Sequence, residues 1–181
     1  MDTARGQLLI AGPGLLDSNF RRTVVLVVEH NEEGALGLVL NRPSQATVSE
    51  AVPELDEIFD LDDRLFIGGP VQPSAVIVLA EFEDAADAAL IAFDDIGVLA
   101  TGSLPDEPVD GVQRARAFVG HSGWGPGQLD SELERGDWIL EPAQREDAFS
   151  ASATDLWSTV LTRKGGSYAL VARMPSDPSL N

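Results

Sequence analysis

TVVLVVEHNEEGALGLVLNR, residues 23–42, carries the strongest signal of fold class. A β-branched run from Thr23 to Val28 and the apolar stretch LGLVLNR flank NEEGA, which has the length and the glycine of a longer hairpin loop. Two neighbouring antiparallel strands are expected here, at the centre of a sheet. Toward the N-terminus, Gly6 to Gly12 reads as a first strand, followed by the turn-rich GPGLLDSN. Toward the C-terminus, Thr47 and Glu50 have capping-box spacing, so a short helix is expected that Pro53 ends or bends, with another helical turn over Glu54 to Phe59. RLFIG and AVIVLAEF flank GGPVQPS and read as strands, as does IGVLA. In RARAFVG, side-chain alternation puts Arg114 and Arg116 on one face of a further strand. Pro126 falls in the first turn of a helix, QLDSELER, that Gly136 terminates, and Asp137 to Leu140 forms a strand. A last helix from about Thr154 to Gly165 carries Leu156, Trp157, Val160 and Leu161 as an apolar stripe. SYALVAR, residues 167–173, is expected to close the sheet as a strand. Hairpins mixed with a few helices indicate an α+β fold rather than a doubly wound parallel sheet.

With 181 residues, 44% of them hydrophobic, the chain is sized for one domain over residues 1–181, ending in a loose, proline-bearing tail from about 175. No apolar run has the length of a membrane span, and MDTARGQLLIAG lacks the apolar stretch of a secretory signal, so a cytoplasmic protein without membrane partners is expected. The absence of cysteine excludes disulfides, thiolate nucleophiles, Fe–S clusters and cysteine zinc sites. Thirty acidic residues against twelve basic ones give a net charge of −18. Nucleic-acid affinity grows from neutralising phosphates with Lys and Arg, so direct nucleic-acid binding is disfavoured. Arg21 with Arg22, and Arg114 with Arg116, are the basic clusters, and pairing with the abundant carboxylates accounts for them. The same charge fits a salty environment or simple solubility.

Chemistry-bearing motifs are few. VGHSGWG, residues 119–125, resembles the nucleophile elbow of an α/β-hydrolase, yet the GxSxG pattern needs glycine where Trp124 stands. The hydrolase order also places a histidine after the serine, whereas the only histidines are His30 and His121. His121 is adjacent to Ser122 and points away from it in an extended segment, which makes it a poor base for that hydroxyl. Gly12 to Gly14 is not a dinucleotide fingerprint because Asp17 stands where GxGxxG needs its last glycine. No phosphate loop, zinc helix or EF-hand loop is present, so no cofactor and no metal is expected. Asp60, Asp62 and Asp63 form the densest acidic cluster, and the ordinary reading is a solvated loop.

Taken as a set, LDSNFRRTVVLVVEHNEEGALGLVLNRP, FIGGPV, GHSGWGPGQLDSEL and the ending PSDPSLN resemble the successive signature blocks of the YqgE/AlgH family, from about Gly6 to the C-terminus. The resemblance implies a single bacterial α+β domain with a curved, mixed, largely antiparallel sheet flanked by a few helices. It implies no established enzymatic activity, and some members are labelled transcriptional regulators. The family commonly has Tyr-Ala where this chain has His121 and Ser122, so the hydrolase-like GHS is a local variant. It often has Glu at the position of Asp130 and Leu-His at Leu79 and Ala80.

Glycine turns present bare N–H groups that cradle anions or peptide backbone. Gly68, Gly69 and Pro70 in one turn, and Gly120, His121, Ser122, Gly123 and Trp124 in another, are therefore expected to form a binding cleft with Asn41 and Arg42. Turn chemistry, with Trp124 plugging the core, is the structural alternative. The leading functional expectation is a non-catalytic regulatory domain with an unknown small-molecule or protein partner. The alternative is a hydrolase-like enzyme using the cleft near Ser122 and His121.

Overall fold

The computed structural model describes residues 3–99 and 111–175. The chain folds as an α+β domain around one mixed, ten-stranded sheet. Its strands are β1 (Gln7–Ala11), β2 (Val24–Asn31), β3 (Gly34–Val39), β4 (Pro43–Thr47), β5 (Arg64–Ile67), β6 (Val71–Phe82), β7 (Leu90–Phe93), β8 (Ile96–Val98), β9 (Val112–Trp124) and β10 (Trp138–Pro142). The main path runs β10-β1-β2-β3-β9-β6-β8-β7, with β4 paired to β5 beside it. Every pairing is antiparallel except β5 with β9, where Phe66 meets Phe118 and Ile67 meets Val119.

The β2–β3 hairpin forms where the sequence places it, but its connection is shorter than the expected NEEGA loop: Asn31 pairs with Gly34, so Glu32 and Glu33 alone join the strands. It lies inside the sheet, between β1 and β9. Both faces of β2 are covered, which is why Val24 to Val28 is an unbroken apolar run instead of an alternating one. Leu8, Ile10, Val24, Leu26 and Val28 face one layer with helix α4 (Leu156–Lys164), while Leu9, Val25 and Val27 face the other with helix α2 (Gln128–Arg135). A third cluster joins Val48 of helix α1 (Val48–Ala51) and Leu55 to Val78, Ala80 and Ala117.

Local signals govern the helix ends. Thr47 and Glu50 form a reciprocal capping box on α1, and Pro53 opens a separate 3-10 turn, Pro53–Leu55. Gly136 ends α2 in the left-handed conformation, φ 78°. Leu156, Trp157, Val160 and Leu161 are all buried, as the apolar stripe of α4 requires. A short helix α3 (Arg145–Ala148) precedes it.

SYALVAR corrects the sequence reading. Ser167–Val171 is a helix, α5, not a closing strand. Gly165 and Gly166 reverse the chain at positive φ, and Tyr168 and Val171 then pack on the core at helical spacing while Leu170 stays exposed. A short apolar run fits either period, and the tertiary contact selects the helix. Strand β4, PSQAT, carries too little apolar pattern to be read from sequence, and β7, LIAF, is a four-residue apolar run too short to fix a period. The tail beyond Pro175 lies outside the described residues. Among those residues, no helix is long and apolar enough to cross a membrane.

Candidate functional site

Gly68 to Pro70 form a turn as expected, but Gly120 to Trp124 are the last part of strand β9 rather than a second turn, and the two segments meet by packing backbone on backbone. Gly68 N–H donates to Val119 O (2.9 Å), and Gly68 O accepts from Val39 N–H (2.9 Å) and from the Ser122 hydroxyl (3.1 Å). Gly120 has φ 71°, and a Cβ there would collide with Gly69 O; one on Gly69, φ 153°, would collide with the backbone of His121. Both positions require glycine for conformation and for space. Ser122 is fully buried, so its hydroxyl acts as a clip between β9 and the Gly68 turn. His121 is half-buried and its Nδ1 has no partner among the described residues; burial holds its pKa below the usual histidine value. Pro70 and Gly123 are exposed at the rim.

Asn41 and Arg42 turn toward another segment. Asn41 Nδ2 donates to Arg22 O (2.8 Å) and its Oδ1 accepts from Val24 N–H (3.0 Å), which pins the entry of β2. The Arg42 guanidinium donates to the carbonyls of Ser18 (3.1 Å), Asn19 (2.6 Å) and Arg21 (3.0 Å), tying down the turn before β2. Trp124 is buried against Phe20 and Trp138. Its indole N–H and that of Trp138 both donate to one Glu132 oxygen, each at 2.8 Å. The structure therefore brings Gly68, Gly69, Gly120 and Ser122 together, while Asn41, Arg42 and Trp124 contact separate partners.

His30 is buried as well. Its Nδ1 accepts from Ala4 N–H (3.0 Å) and its Nε2 lies 3.5 Å from Asp130 Oδ2. Arg114 and Arg116 share a face of β9, as side-chain alternation dictates. Arg114 is held by Glu81 (2.7 Å) and Glu146 (3.2 Å), and its pKa is raised chiefly by the hydrogen bond to Glu81. Arg116 is held differently. Its guanidinium lies over the Phe66 ring, 4.3 Å from the centroid, and Nη2 donates to Ser150 O (3.0 Å). Nη1 is buried without a hydrogen-bond partner, and among the described residues no carboxylate forms an ion pair with Arg116. Burial lowers its pKa, and the nearby Asp63 partly offsets this.

Arg116 lines an open cleft of about 530 Å³ that sequence reasoning did not find. One wall is β4 and β5 with Phe59, Asp62 and Asp63; the other is Ser150 to Thr154, and Ala115 and Arg116 contribute from β9. Arg64, on the first wall, donates to the carbonyls of Ser44 (3.3 Å) and Gln45 (3.2 Å). The volume lies in the range of small-molecule sites. One signal for it existed: residues 114, 116 and 118 share a strand face, so Arg116 occupies a row that continues into the fully buried Phe118. Among the described residues no group of three or more His, Asp or Glu is placed to hold a metal ion, and Asp60, Asp62 and Asp63 form no such group. Asp63 instead accepts from Asp60 N–H (2.8 Å).

Comparison with known proteins places this geometry in a family. A family model described as AlgH-like matches residues 8–169. A Chlorobium limicola protein is 41% identical over 182 residues, covering 97% of this chain and 95% of its own, and a Mycolicibacterium smegmatis protein is 38% identical, covering 97% and 90%. Among solved structures, a Corynebacterium diphtheriae crystal structure superposes with a TM-score of 0.86 at 30% identity, covering 96% of this chain and 94% of that one. The solution structure of the AlgH protein from Pseudomonas aeruginosa gives a TM-score of 0.69 at 26% identity, covering 98% and 100%. The chain belongs to the YqgE/AlgH family.

Proposed function

We propose that this chain is a non-catalytic, regulatory binding domain whose recognition site is the cleft at Arg116. The observation that carries the reading is the state of that arginine: a partly buried guanidinium, oriented by Phe66 and Ser150 O and paired with no carboxylate among the described residues, lines an open cleft. In a chain this rich in carboxylates, an arginine at a cleft that no carboxylate pairs supports a role in receiving an anionic group of a ligand. The Gly68–Pro70 turn, Asn41 and Arg42 serve this site indirectly. The turn packs on β9 at Gly120, and Asn41 and Arg42 anchor the chain immediately before Pro43, which lines the cleft.

The hydrolase-like alternative draws less support, because the Ser122 hydroxyl is buried and donates to Gly68 O rather than to a base. Thermal-shift screening of wild type and Arg116→Gln against a broad metabolite library tests the proposal. Ligands that raise the melting temperature of wild type but not of the variant are expected. A library that contains none, or ligands that stabilise both proteins equally, refutes the site.

A further inference from the structure

We infer that the cleft takes a zwitterion of the α-amino-acid class, its carboxylate toward Arg116 and its ammonium toward Asp62 and Asp63. The inference deepens the proposed function and rests on it. Arg64 and Arg116 balance Asp62 and Asp63 among the charged side chains lining the cleft, so the site is bipolar and locally neutral. The chain as a whole carries −18. A small dianion would meet that field on approach and two carboxylates at the wall. A simple cation would bring no carboxylate to Arg116, whose guanidinium has Ser150 O as its hydrogen-bond acceptor. A ligand that is neutral overall with separated charges satisfies both walls and incurs no long-range repulsion. The rest of the lining is mixed, with the polar Ser44, Gln45, Ser150 and Thr154 beside Phe59, Phe66 and Ala153, whose own exposure is small.

Calorimetric titration of the intact protein with L-phenylalanine, L-leucine, 3-phenylpropionate and phenethylamine tests this directly. Phenylalanine or leucine should bind at least about tenfold more tightly than either half-molecule, since each charge-assisted contact is worth about tenfold or more. Affinity should change little between about 50 and about 500 mM NaCl, because the ligand carries no net charge to be screened. Arg116→Gln and Asp63→Asn should each weaken binding about tenfold or more. Asp63→Asn retains an oxygen for Asp60 N–H and so guards against a folding artefact, with melting curves as the control. Half-molecules that bind as well as the amino acids, or amino-acid binding indifferent to both substitutions, overturns the inference. Arg116-dependent binding of another ligand class, with amino acids silent, overturns it while leaving the binding-domain reading intact. Absence of any Arg116-dependent ligand removes both.

Discussion

Gly120→Ala should destabilise this protein severely, for a reason that separates two roles of glycine. Position 120 has φ 71°, where an L-residue is disfavoured by about 1–2 kcal/mol. A Cβ there would also approach Gly69 O closer than any real Cβ contact, with Val71 O a further 3.3 Å neighbour. Both obstacles are backbone, so no rotamer can yield, and forced overpacking adds about 1–3 kcal/mol. The sum is about 2–5 kcal/mol, a large share of a domain stability of about 5–15 kcal/mol. At about 2–4 °C per kcal/mol, the melting temperature should fall by about 4–20 °C. Gly127 is the internal control, since its φ is 70° yet nothing lies within 4 Å of where a Cβ would stand; Gly127→Ala should show the conformational part alone, about 1–2 kcal/mol. Urea denaturation followed by tryptophan fluorescence reads both, because Trp124 ends the strand that carries Gly120. Equal losses at the two positions would refute the close approach of Gly120 to Gly69.

Other substitutions probe the same frame. Ser122→Ala should lower stability by about 1 kcal/mol and no more, because Gly68 O keeps its bond from Val39 N–H; a urea midpoint showing a collapse, or loss of binding at the cleft, contradicts the clip role. Glu132→Ala strips one acceptor from both Trp124 and Trp138, so about 2–5 kcal/mol should be lost, with a shift in tryptophan emission; a silent substitution sinks the shared-acceptor account. Burial holds the His121 pKa below its unfolded value, so the unfolded chain takes up the proton first as pH falls. Stability from this group is therefore unaffected above about pH 6.5 and declines as pH drops below it. His121→Gln should flatten that part of the decline in midpoints measured from about pH 7.5 to about pH 5, and an unchanged slope counts against it.

What the sequence discloses about the fold depends on how locally each feature is determined. The capping box at Thr47 and Glu50, the left-handed stop at Gly136 and the stripe on α4 each depend on residues within a turn or two of one another. All three are legible. Strand order depends on β9, whose first part pairs with β6 and whose last residues pair with β3, segments separated along the chain by dozens of residues. No local pattern encodes that choice. SYALVAR shows the intermediate case, where a short apolar run is compatible with two periods and packing beside α4 decides between them.

The site follows the same logic with a sharper consequence. Glycines attract attention in a sequence because they permit close approach, but close approach to what is a tertiary fact. Here the approach is of main chain to main chain, since a Cβ on Gly120 would meet Gly69 O and one on Gly69 would meet the His121 backbone. The cleft opens instead where residues from three distant segments, Asp63 with Phe66, Arg116, and Ser150, converge around one guanidinium. None of these residues is unusual in its own segment. What singles out Arg116 is a mismatch between its strand face and its charge, since the row that holds it runs on to Phe118 in the core. A charged group on such a row must be satisfied by something, and Arg114 beside it shows the ordinary solution in Glu81 and Glu146. Arg116 has only Ser150 O and an aromatic face, and that unequal treatment of neighbours on one strand is the physical basis for placing recognition there.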